Sequence, residues 1–128
     1  MSEQGSAGVL LLGVAALGLL LMAGVGIVGS LVVARSEAAA AADAAALAAA
    51  PVTFRPFGAT GSPTDEAARF ATANRARLVE CVCPIDRSWA PRTVRVEVER
   101  TIDLGPFGNV PVRASSRAEF TPAALLGG

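Results

Sequence analysis

The chain has 128 residues, with 11 basic side chains, all arginine, balanced by 11 Asp and Glu, and it contains no His, Lys or Tyr. Zero net charge excludes nucleic acid as a main partner, because phosphate binding draws on an excess of positive charge. Without His there is no ordinary general base or imidazole ligand, and without Lys no Schiff-base amine or phosphate-loop lysine, so no enzyme activity, cofactor, metal or small-molecule substrate is expected.

Residues 1–5 form a short polar tip or leader. Between Glu3 and Arg35 the sequence QGSAGVLLLGVAALGLLLMAGVGIVGSLVVA carries no ionisable side chain. A hydrocarbon core of roughly 30 Å is crossed by about 20 apolar helical residues, and a helix satisfies its backbone groups internally. The run predicts a transmembrane helix over 6–34. A buried helix of a soluble protein is the weaker reading, since residues 51–128 are too few to hide it. A cleaved secretory signal would need a positive start and an apolar core of only about 7–15 residues, whereas this chain opens with MSEQGS.

The stretch RSEAAAAADAAALAAA (35–50) reads as the same helix continuing out of the membrane as an Ala-rich extension, with Pro51 the first hard stop. Gly26, Ser30, Ala34, Ala38, Ala42, Ala46 and Ala50 recur four apart. Small residues at that interval let helix backbones approach closely. The row drifts around a straight helix rather than forming one flat face, so it suits helix packing against crossing or wrapping helices of copies of the chain or related subunits. The alternative is alanine that merely fills an exposed helix.

PVTFRPFGATGSP marks a linker over 51–61. A small α+β domain is expected over 62–128. Ser62 and Pro63 read as N-cap and first helical position, and Asp65 and Glu66 suit the positive end of the helix dipole. Ala67, Phe70, Ala71, Asn74, Leu78 and Cys81 recur at helical spacing, predicting an amphipathic helix through this whole stretch. Asn74 would then be a buried polar group bonded to the hairpin backbone, and Arg69, Arg75 and Arg77 a solvated face.

ECVCPIDRSW holds both cysteines, Cys81 and Cys83. Two thiols do not complete a zinc site, and the spacing is not that of a C-x-x-C redox motif. Outside the membrane they would tend to oxidise; a Cys81–Cys83 bond, bonds between subunits and free buried thiols all stay open. Trp89 is a core plug or a partner anchor. From Thr93 the period becomes two: Val94, Val96 and Val98 alternate with Arg95, Glu97 and Glu99, and Ile102 and Leu104 continue the apolar side. GPFGN (105–109) is a turn, and VPVRASSRAEF alternates again, predicting a β-hairpin with one apolar face that packs on the short helix.

A long N-terminal helix, half in the membrane and half out, followed by a small domain with a hairpin, is a pilin-like plan. EQGSAGVLLLGVAAL, VARSEAAAAADAAALAAA, ATANRARLVECV and the valine-alternating strand resemble the TadE-like minor pseudopilins, in particular the short actinobacterial form associated with Tad/Flp-type pilus and secretion genes. The resemblance implies a non-enzymatic subunit of the cell membrane. It would pass the membrane once, with a cytoplasmic N-terminus and the small domain extracytoplasmic. Its partners would be the membrane and other pseudopilin-like subunits or secretion-system membrane proteins. It also implies prepilin-type cleavage between Gly5 and Ser6. The family pattern places Glu five residues beyond the cut, where this chain has Leu10; a priming, tip or accessory role fits that departure better than a major shaft role. A membrane-anchored binding module unrelated to pilus assembly is the alternative.

Overall fold

A computed structural model describes residues 3–54 and 61–127; most of the expected linker, residues 55–60, lies outside the described residues. Helix α1 spans Glu3–Val52 and helix α2 Pro63–Ala73. Three strands follow, β1 (Arg77–Val82), β2 (Arg92–Asp103) and β3 (Asn109–Phe120), in an antiparallel sheet of order β1-β2-β3. Short 3-10 turns at Gly105–Phe107 and Pro122–Leu126 follow β2 and β3. The chain divides into two compact units, Met1–Val33 and Ala34–Gly128. The expected α+β class with a long apolar N-terminal helix is observed.

Alanine has the highest helix propensity, and nothing from Arg35 to Ala50 opposes it. Pro51 lies inside the last turn of α1, and the chain turns out just beyond, with Thr53 N–H donating to Ala50 O at 3.2 Å and Phe54 N–H to Pro51 O at 3.2 Å. One face of the alanine run is buried: Ala34, Ala38, Ala41, Ala42, Ala45, Ala46, Ala49 and Ala50. These fall at the three- and four-residue intervals that make one helix stripe. From Ala41 onward they share a core with Val94, Val96 and Val98 of β2, Ala67 and Ala71 of α2, and Ala118 of β3. The three valines are the inward half of the expected alternation and are fully buried. Methyl groups on the helix leave room for the valine side chains to seat against its backbone.

The sequence reading of the second helix requires correction. It was expected to run through Leu78 and Cys81, but α2 stops at Ala73. Asn74 is the C-cap, Arg75 takes a left-handed φ of 59°, and Ala76 N–H returns to Ala71 O at 2.9 Å while Arg75 N–H bonds Thr72 O at 3.0 Å. This is a Schellman ending with arginine where glycine is usual, which is why no glycine announced it. Asn74 is not buried: it is exposed, and its Nδ2 donates to Phe70 O at 2.8 Å.

Residues 77–82 form a third strand added to the expected hairpin. A register shift between Leu78 and Glu80 puts Leu78 opposite Val98 and Cys81 opposite Val96. The bulge brings two residues three apart to the same face, and that spacing is also one turn of helix. α2 itself begins as expected, Ser62 accepting from Asp65 N–H at 3.4 Å with Pro63 first in the helix.

Filling the alanine face should loosen this core. Ala46→Leu adds bulk where no space is left and is expected to destabilise the fold by about 1–3 kcal/mol. Leu47→Ala, on the exposed side of the same turn, should stay within about 0.5 kcal/mol. Urea titration of the full chain in detergent, followed by circular dichroism, checks both.

Candidate functional site

The first unit presents apolar surface without cover. Val9, Leu10, Leu11, Leu12, Leu19, Leu20, Leu21, Met22 and Val25 are all exposed, and α1 has the length and composition to cross a membrane. Contiguous exposed apolar surface of this extent marks a lipid or protein contact. On it a shallow groove is lined by Leu20, Leu21, Gly24, Val25, Val28 and Gly29. Gly5 and Ser6 lie in the first turns of α1, exposed, as does Leu10.

The row of small residues divides at the unit boundary. Gly26 and Ser30 are exposed, the Ser30 hydroxyl donating to Gly26 O at 2.9 Å. Ala34, Ala38, Ala42, Ala46 and Ala50 are buried within this chain. The cover that the sequence reading assigned to neighbouring helices comes, from Ala42 to Ala50, from the chain's own valine strand. Cys81 and Cys83 are joined to each other, their Cα atoms 5.4 Å apart.

Sequence reasoning missed the knot at the far end of α1. Arg92 is buried, and its guanidinium donates to four backbone carbonyls. Nη1 donates to Thr53 O at 3.2 Å and Asp86 O at 2.5 Å; Nη2 donates to Ser88 O and to Ala90 O at 3.2 Å. The guanidinium lies 5.6 Å from the centre of the Phe54 ring, which in turn meets Trp89 at 4.9 Å and Phe120 at 6.3 Å. Trp89 thus caps this aromatic cluster while staying partly exposed. The planar fork of arginine suits this bridging as lysine's single ammonium does not. The available signal was parity: position 92 falls on the inward set with Val94, Val96 and Val98, an arginine where the pattern calls for a hydrophobe.

The outward face of the sheet is charged and self-paired. Glu99 accepts from Arg77 at 2.8 Å and from Arg113 at 2.9 Å, and Arg113 lies 3.6 Å from Glu97. The bonds from Arg77, then Arg113, hold the Glu99 carboxyl below its ordinary value of 4.5. Asp86 is held below 3.8 chiefly by the Ser88 backbone N–H and hydroxyl. A cleft beside the Glu37–Arg100 pair, 2.8 Å apart, is lined by Ala40, Ala73, Asn74 and Arg75 as well. Among the described residues no group of three or more Cys, Asp or Glu converges on a metal position. The geometry offers surfaces for lipid and protein contact.

Residues 5–52 match the Tad family model, described as putative Flp pilus-assembly TadE/G-like. The resemblance to TadE-like proteins is borne out over that segment, which is α1 almost from end to end. No curated protein and no solved structure matches the chain. The family match and the span-like helix together fit a pilus-related subunit.

Removing the Arg92 fork takes a donor from four carbonyls, of which Thr53 O keeps the Asp86 N–H at 3.0 Å. Arg92→Ala should therefore cost about 3 kcal/mol in urea titrations, with Arg92→Lys restoring only part. Asp86 and Glu99, like Glu66 beside Arg69, carry a folded-state pKa below the unfolded one. Their contribution is complete above the unfolded values and is lost as pH falls through them to the folded values. Stability should therefore hold at neutral pH and decline below about pH 4.5. Glu99→Gln should make that decline shallower in urea midpoints measured against pH.

Proposed function

We infer that this chain is a non-enzymatic, membrane-anchored TadE-like pseudopilin subunit of a Tad/Flp-type pilus or related secretion system. In this reading the apolar part of α1 spans the cell membrane once and the unit Ala34–Gly128 stands outside the cytoplasm. The observation that carries it is an overlap on one helix: the segment matched by the pilus-assembly family contains the whole apolar run whose large side chains the chain leaves uncovered. In water that surface is unfavourable by about 25 cal/mol per Å², and a bilayer or a neighbouring helix removes the penalty.

Contacts with sister subunits then run through the span. The alanine face from Ala42 to Ala50 is engaged by the chain's own strands, whereas Gly24, Gly26 and Gly29 face open space. In lipid, glycines let helices approach closely enough for dispersion and backbone contacts. Cleavage between Gly5 and Ser6 by a prepilin-type peptidase belongs to the same reading, and both residues are accessible at the start of α1. Leu10 supports a priming, tip or accessory position, because it supplies no carboxylate for docking along a shaft.

The chain should remain in the membrane fraction after an alkaline carbonate wash, and protease added to intact cells should degrade the unit beginning at Ala34. A photocrosslinking residue at Val25 or Val28 should trap another pilus-like subunit, and one at Val79 should not. Crosslinks from Val79 alone would instead favour the anchored binding module. Intact-mass measurement should show loss of residues 1–5, abolished in Gly5→Leu.

A further inference from the structure

β2 and the helical part of the second unit run side by side in opposite directions, pinned at two heights. At one end Arg92 bonds Thr53 O; at the other Arg100 pairs with Glu37. From Arg92 to Arg100 is about 26 Å of strand, and from Thr53 to Glu37 about 24 Å of helix, so the two pins are consistent with a parallel alignment of the axes. β2 then continues past Arg100 to Asp103 and the turn. Leu104 lies about 13 Å beyond Arg100, while the unit's helical part ends at Ala34, only about 5 Å beyond Glu37. The β2–β3 turn therefore projects past the Ala34 end of its own unit. That is also the end at which the chain leaves its apolar run, Arg35 being the first ionisable residue after Glu3.

The turn differs from the rest of the sheet. Leu104–Val112, LGPFGNVPV, carries no charge, whereas the sheet elsewhere alternates arginine and glutamate on its outer face. Phe107 at the apex is 70% exposed. The inward side chains Ile102, Leu104, Val110 and Val112 are only half-buried, against full burial of Val94, Val96 and Val98 farther along the same sheet. The apolar face thus loses its cover toward the turn. The turn itself is built to hold its shape. Leu104 N–H bonds Gly108 O at 2.9 Å and Gly105 N–H bonds the Asp103 carboxylate at 2.7 Å; Gly105 and Gly108 take φ of 61° and 78°, which side-chain-bearing residues avoid.

We propose that this turn is a second membrane contact: Phe107, with Leu104 and Val110 behind it, enters the headgroup–acyl boundary of the bilayer that α1 crosses. The occupant of the exposed apolar turn is lipid, because the turn lies at the Ala34 end of its unit, where the chain joins its apolar run, and Leu104–Val112 carries no charge, the nearest one, the Asp103 carboxylate, being bound by the Gly105 N–H. Aromatic side chains favour that boundary. The inference rests on the membrane-spanning reading of α1.

The test uses the full chain in phosphatidylcholine vesicles, with Trp89→Phe as background and one tryptophan introduced by Phe107→Trp or, at the opposite end of β3, by Glu119→Trp. Circular dichroism should match the parent, since both positions are exposed. The chain should float with the vesicles. Emission from position 107 should be blue-shifted and quenched by lipids brominated on their acyl chains several-fold more than emission from position 119. Flotation with equal, weak bromolipid quenching at both positions overturns the turn contact and leaves the anchor reading intact. Shielding of position 107 from aqueous acrylamide without bromolipid quenching assigns its cover to protein and also overturns it. Failure to float removes the anchor reading and the turn contact together.

Discussion

The second unit depends on the burial of an alanine face against a row of valines. Val94, Val96 and Val98 are fully buried, and what they meet on α1 is a surface of methyl groups. Alanine adds little apolar area per residue, so its use on this face reflects shape: a smooth helix against a sheet whose bulk comes from β-branched side chains suited to strands. Helix α2 adds two more alanines, Ala67 and Ala71, to the same core. A core assembled largely from small side chains leaves little slack, so the unit relies on polar ties at its margins.

Those ties sit at two heights along α1. At its C-terminal end Arg92 gathers the carbonyls of Thr53, Asp86, Ser88 and Ala90 beneath Phe54 and Trp89. An arginine so deeply enclosed is tolerable because both its Nη groups are engaged by carbonyls and its guanidinium lies near an aromatic ring, although Nε is buried without a partner. Glu37, sixteen positions before Thr53, pairs with Arg100 to form the second tie. Between them the strand direction is fixed relative to the helical part of its own unit, and the uncharged turn is carried to the end from which the chain continues into its apolar run.

The two kinds of small residue on α1 serve different neighbours. Alanines from Ala41 to Ala50 are consumed inside the chain, whereas the glycines of the apolar run are open. The family match covers both stretches. In the proposed subunit, folding uses the first set and assembly in lipid the second. The charged outer face of the sheet, with Arg77, Glu99, Arg113 and Glu97 paired among themselves, stays solvated.

The apolar run, the long helix and the alternating strands were legible because each is a local property: propensity and periodicity repeat along the chain and do not depend on what lies opposite. The end of α2 was not, because Asn74 and Arg75 stop the helix without glycine, and the bulge in β1 spaces Leu78 and Cys81 as a helix would. Spacing of three has one meaning in a helix and another at a bulge, and only the partner strand distinguishes them. The alanine row was visible at once; its partner was not, since a methyl face accepts a helix or a sheet equally well and the choice belongs to whichever apolar surface the rest of the chain brings to it. Arg92 shows the same division. Its place in the alternation was written in the sequence, but the four carbonyls that make it structural come from two segments, Thr53 and the stretch 86–90, that meet only when the chain is folded.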